Sequence, residues 1–115
     1  MNSKSLYWYT AVLVRIIDGD TIVVDVDLGM STWKHKVTLR ILGIDTPEPR
    51  GKTKVAGDAA TQRAIELLGP PGSLLYIHTV KKDSFGRWIA SVQLMDGTFF
   101  EETMLKEGYA VPYKK

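Results

Sequence analysis

From Ile22 to Leu28 the side chains alternate. Ile22, Val24, Val26 and Leu28 fall on one face, and Val23, Asp25 and Asp27 on the other. A period of two marks a β-strand with one buried face, and a slip of one residue would exchange the two faces. Upstream, Tyr9 to Ile17 is rich in β-branched and aromatic residues and stops at Asp18-Gly19, a hairpin signal. Downstream, Gly29 to Lys34 breaks the run. Alternation resumes from Lys36 to Ile44, with Val37, Leu39 and Ile41 against Thr38, Arg40 and Leu42. Three consecutive strands joined by turns predict an antiparallel meander.

Pro47 and Pro49 forbid regular structure beyond the third strand, and Arg50 to Lys54 reads as an exposed loop. Ala56, Ala60, Ala64, Leu67 and Leu68 then recur at helical spacing, and Gly69-Pro70-Pro71-Gly72 stops that helix. Leu74 to Val80 and Trp88 to Leu94 are a fourth and a fifth strand. The connection Lys82 to Gly86 is short enough for a hairpin. Thr98 and Glu101 have the spacing of a capping box ahead of a second helix that Gly108 closes. No repeat or linker divides the 115 residues, so residues 1–115 are expected to form one domain. Five strands with a helix between the third and fourth predict a mainly β, α+β fold: a five-stranded OB-fold barrel with two helices.

Composition narrows the chemistry. No cysteine is present, which rules out a disulfide framework and thiolate ligation, and the two histidines lack zinc-like spacing. Any bound metal should therefore be a hard cation with oxygen ligands. No apolar stretch reaches membrane-spanning length, and Met1 to Thr10 lacks a secretory pattern. The chain is expected to be a monomer without membrane contact, cytoplasmic if complete and secreted if a signal was removed. The net charge of +2 says little, but cations cluster. Lys34 and Lys36 flank His35, Arg50, Lys52 and Lys54 alternate, and Lys81, Lys82 and Arg87 surround one turn. Such clusters suit a polyanion or a plain solvated face.

Two acidic segments carry the chemistry. Asp18-Gly19-Asp20-Thr21 and Asp45-Thr46-Pro47-Glu48 each follow an apolar run. Carboxylates this close repel one another unless a cation or a reaction uses them. Asp20 and Asp45 can supply one oxygen each to calcium, the Thr46 carbonyl a third, and water the rest, with Asp18 holding a water nearby. Glu48, stiffened between Pro47 and Pro49, can align or deprotonate an attacking water, worth roughly 10²- to 10⁴-fold. Arg40 and Arg87 can fork onto a phosphodiester and neutralise its transition state. Taken singly, each feature also has a plain reading as a turn or a surface residue. Their coincidence points to a site.

The segments Ile17 to Thr21, Leu39 to Glu48 and Asp83-Ser84-Phe85-Gly86-Arg87 closely resemble the staphylococcal (thermo)nuclease family. The likeness runs from about Val12 to Tyr113 and includes Gly57-Asp58-Ala59-Ala60 and Glu107-Gly108-Tyr109-Ala110. It implies a calcium-dependent endonuclease that cleaves phosphodiester bonds of DNA and RNA on an OB-fold barrel. By position, Asp20, Asp45 and the Thr46 carbonyl match the family's calcium ligands, and Asp18 its calcium neighbourhood. Glu48 matches the proposed general base, and Arg40 and Arg87 the phosphate-binding arginines. Ser84 and Phe85 stand where a secreted member has a lysine and a tyrosine, which implies weaker mononucleotide binding more than slower chemistry. The family's third, C-terminal helix has no counterpart in this sequence.

Tyr109 and Tyr113 can stack on a base, or pack as core and edge residues. His35, His78, Trp8, Trp33 and Trp88 read as packing or surface residues, with Trp33 exposed, and Met104 and Leu105 as core. A shallow OB-type groove suits single-stranded or frayed nucleic acid better than duplex. Arg40→Ala and Arg87→Ala are expected to slow turnover with the fold intact. The rival reading is a catalytically inactive nuclease-like OB domain that binds nucleic acid or protein. Such a module is expected to lose an acid or an arginine, and this chain keeps them all.

Overall fold

A computed structural model describes residues 7–113. Its elements are β1 (Trp8–Asp18), β2 (Thr21–Asp27), β3 (Trp33–Ile41), β4 (Ile44–Asp45), a 3-10 turn (Gly51–Thr53), α1 (Lys54–Leu68), β5 (Leu74–Lys82), β6 (Trp88–Gln93), α2 (Phe100–Lys106) and β7 (Val111–Pro112). The five long strands close a barrel in the order β1-β2-β3-β6-β5. All neighbours are antiparallel except β3 and β6, whose parallel pairing of Leu39, Arg40 and Ile41 with Trp88, Ile89 and Ala90 completes the ring. This is the α+β, mainly β OB-fold that the strand order predicts.

The alternation explains the barrel. Ile22, Val24 and Val26 of β2, Val37, Leu39 and Ile41 of β3, Leu75 and Ile77 of β5 and Val92 of β6 all point inward and are buried. Each such side chain contributes about 1.5–3 kcal/mol by leaving water. Ala60, Ala64 and Leu68 of α1, with Phe100 and Met104 of α2, complete the same cluster. Leu105 is partly buried against it.

Several boundaries differ from the sequence expectation. The third strand starts at Trp33, since Trp33 and Lys34 already pair with Asp27 and Val26. It ends at Ile41, where Gly43 turns with φ +77. Ile44 and Asp45 leave the barrel to pair with Val111 and Pro112, a separate two-stranded sheet not read from the sequence. The fourth strand runs on to Lys82. On α1 the buried position is Gly57 and not Ala56, which is exposed.

The Thr98–Glu101 capping box does not form. Phe99 is the N-cap of α2 and makes no side-chain cap hydrogen bond. Thr98 bonds to Asp96, and Glu101 reaches across to β6 instead, accepting from Ser91 Oγ and, at 3.0 Å, from Val92 N. The Val92 amide of β6 thus takes the carboxylate that a capping box would have used. Trp33 is exposed as expected, and Trp8 equally so. Trp8 stacks on His78 at 4.8 Å, and His35 pairs with Asp25 at 3.3 Å.

Candidate functional site

The tight β1–β2 turn places two carboxylates side by side. Asp18 Oδ1 accepts the Asp20 N–H at 3.1 Å. Gly19 lets the turn press onto its neighbours: a Cβ there would lie 2.9 Å from Thr46 Cγ2 and 3.1 Å from Ala60 Cβ. Asp20 is buried. Its Oδ1 accepts the Thr21 hydroxyl at 3.0 Å. Its Oδ2 accepts the Thr46 N–H at 3.0 Å and the Thr46 hydroxyl at 3.1 Å, joining segments 26 residues apart. Burial alone would raise the Asp20 carboxyl. Hydrogen bonds from Thr46 and Asp18, the Arg40 charge and the Thr21 hydroxyl outweigh it and hold the group below the ordinary aspartate range. Asp18 moves the other way, pushed up to about 6 by burial first, then by Asp20, with the charge of Glu48 adding to it.

Arg40 sits between the two acidic segments. It lies on the face of β3 turned from the core stripe, in register with Thr21 and Ile89, and is nonetheless only 9% exposed. Nη1 donates to the Ile41 carbonyl at 3.1 Å. Nη2 lies 3.5 Å from Asp45 Oδ1 and 3.6 Å from Asp20 Oδ2. The Tyr113 ring covers it at 5.0 Å from Cζ. Tyr113 is brought there by β4–β7 pairing and by its N–H, which donates to the Gly43 carbonyl at 3.0 Å.

Glu48 has its backbone packed on α1 and its carboxylate in solvent. A Cβ on Gly57 of α1 would collide with the Glu48 carbonyl group and with Pro49 Cα, so that glycine is what lets the segment lie on the helix. The Thr53 hydroxyl donates to the Glu48 carbonyl at 2.7 Å. The carboxylate is mostly exposed and lies 3.5 Å from Arg50 Nη2. Asp20, Thr46, Asp45 and Arg40 therefore meet directly. Asp18 touches Asp20, while Glu48 acts on the cluster through its charge.

Arg87 lines a cleft of about 450 Å³ together with Arg40, Lys82, Phe85 and Tyr113. Its Nε donates to Asp83 Oδ2 at 2.7 Å. Tyr113 is exposed in this cleft. Tyr109 instead packs half-buried against the core, which favours the core reading of that residue. A smaller apolar hollow of about 120 Å³, with Tyr9, Val26, Lys34 and Trp88 among its walls, holds none of these groups.

All candidate metal donors here are oxygens, which fits a hard cation. Among the described residues no three acidic or histidine side chains converge into a cage. The oxygens that could hold a cation there are those of Asp20 and Asp45, which meet at Arg40, and the Thr46 carbonyl, with water completing the set. Half-exposed Asp45 keeps lone pairs free for the cation. Gly19, Gly57 and Asp83 went unnoticed as supports of the site. The Asp-x-x-Gly turn pattern could have flagged Asp83, but no local pattern marks a helix glycine that another segment crosses.

A family profile described as "Staphylococcal nuclease homologue" matches residues 38–115. The chain is 35% identical over 101 residues to a thermonuclease of Staphylococcus hyicus, covering 85% of this chain and 56% of that protein. It is 37% identical over 113 residues to endonuclease YncB of Bacillus subtilis (strain 168), covering 95% and 49%. A third relative, the SPbeta prophage-derived endonuclease YokF of the same organism, is 38% identical over 103 residues, covering 85% and 32%. The chain spans about half the length, or less, of these curated relatives.

Proposed function

This chain belongs to the staphylococcal nuclease homologue family, and on that premise we propose that residues 1–115 form a calcium-dependent endonuclease domain. It hydrolyses phosphodiester bonds of DNA and RNA, preferring single-stranded or frayed regions. One observation carries the reading: Arg40, nearly buried, pairs with the carboxylates of Asp20 and Asp45 and also lines the cleft that Arg87 lines.

The roles follow from the chemistry of each group. Arg40 and Arg87 grip the non-bridging oxygens of the scissile phosphate and oppose the charge that builds on them as a fifth ligand adds. Asp20, Asp45 and the Thr46 carbonyl would hold calcium, with Asp18 beside them fixing a water. When bound, calcium supplies Lewis-acid polarisation of a phosphate oxygen and orients the substrate. Glu48 aligns the attacking water or takes its proton. Its surface pair with Arg50 is worth no more than about 1 kcal/mol, so the carboxylate is free to turn inward. Phe85 and Tyr113, both exposed on the cleft, offer faces for unpaired bases, which supports the preference for single strands.

The test is cleavage of denatured DNA with calcium or with chelator. Cleavage should require calcium, and Glu48→Gln should slow it by roughly 10²- to 10⁴-fold. Tight DNA binding without cleavage under every metal condition would replace this reading with the inactive binding module.

A further inference from the structure

Asp83 opens the β5–β6 turn, and its two carboxylate oxygens have different partners. Oδ1 accepts the backbone N–H groups of Phe85 and Arg87, each at 2.9 Å, and so closes the turn. Oδ2 accepts Arg87 Nε–H at 2.7 Å. The backbone needs no help from Oδ2: Asp83 N–H donates to the Arg87 carbonyl at 2.8 Å, and Gly86 supplies the left-handed step with φ +83. Asp83 is 14% exposed and Arg87 31%. On a further side the Phe85 ring lies 5.4 Å from Arg87 Cζ.

A guanidinium carries five N–H donors, and the tether uses only the one on Nε. The four Nη hydrogens stay available on the cleft that Arg87 shares with Arg40. An arginine without a tether samples many rotamers, and few of them aim the fork at a phosphate.

We propose that Asp83 is a positioning residue, whose Oδ2 pins Arg87 by Nε so that its Nη fork faces a phosphate in the cleft. The proposal rests on Arg87 gripping phosphate, as in the function proposed above. The two oxygens can be separated by one substitution. In Asp83→Asn the amide oxygen still closes the turn, but an NH₂ group replaces the acceptor that held Nε.

Asp83→Asn should remain folded, with a single cooperative melting transition, and the Arg87 Nε–H signal in a ¹H–¹⁵N spectrum should lose its protection from exchange. With calcium and denatured DNA, kcat should fall roughly 10- to 100-fold while KM stays near wild type. In the Arg87→Ala background the same change should add nothing, because Asp83 acts only through Arg87. Asp83→Asn at full speed beside a slow Arg87→Ala overturns the positioning role alone. A full additional loss in the double variant does the same. A fast Arg87→Ala overturns the assignment of Arg87 and the tether's purpose with it.

Discussion

Arg40 lies on the outward side of its strand and is buried because Asp45 and Tyr113, from other segments, close over it. The alternation assigned its side of β3 correctly but could not foresee that cover. That cover adds a stability cost to Arg40→Ala beyond its effect on turnover. Removing the guanidinium leaves the buried Asp20 carboxylate short of a partner and should cost about 3 kcal/mol in denaturant titration, besides slowing turnover. Arg40→Lys restores the charge without the fork, so stability should largely return while cleavage stays slow. Asp18 and Asp20 show the same limit of local reading. They stand two residues apart, yet one is pushed up to about 6 and the other held below the ordinary range. Burial and the hydrogen bond between the two raise Asp18. Asp20, against its own burial, is lowered by Thr46 and the Arg40 charge, which reach it from distant parts of the chain, as well as by Asp18 and Thr21 beside it.

Among the elements, the two helices hold the barrel and the site in one frame. Gly57→Ala on α1 overpacks the crossing with Glu48 and Pro49 and should cost about 1–3 kcal/mol, with cleavage falling as Glu48 is displaced. Ala56→Gly, one residue earlier on the exposed face, should cost about 1 kcal/mol and leave cleavage unchanged. Helix α2 is docked by Arg63 of α1, whose Nε and Nη2 fork onto Glu107 just past the helix at 2.6 and 2.9 Å, and by Glu101. Burial raises the Glu101 carboxyl in spite of its bonds to Ser91 and Val92. Folding thus penalises the ionised form. The loss of stability sets in as pH rises through the ordinary glutamate range and is complete above the raised folded value. Glu101→Gln keeps an acceptor for Val92 N–H and removes the charge. Its melting temperature should exceed wild type at neutral pH and converge with it in acid. A constant offset across pH would show that the charge is not the cause.

For the whole molecule, the calcium site proposed above would couple cation binding to folding, because Asp20 and Asp45 come from segments that meet only in the folded chain. Calcium should raise the melting temperature, by an amount equivalent to about 2.7 kcal/mol at 100 times its Kd, and Asp45→Asn should abolish the rise. A melting curve indifferent to calcium would remove the ion from this site. The sequence by itself determined the five barrel strands, the two helices and the residue types of the site, because strand periodicity, turn chemistry and short motifs are local properties. Tertiary structure alone decided the β4–β7 pairing that seats Tyr113 on Arg40, the use of Glu101 as a strand cap, and the glycine gap that fixes Glu48. Those depend on which distant backbone arrives beside a residue, and contacts made across such separations leave no period in the chain.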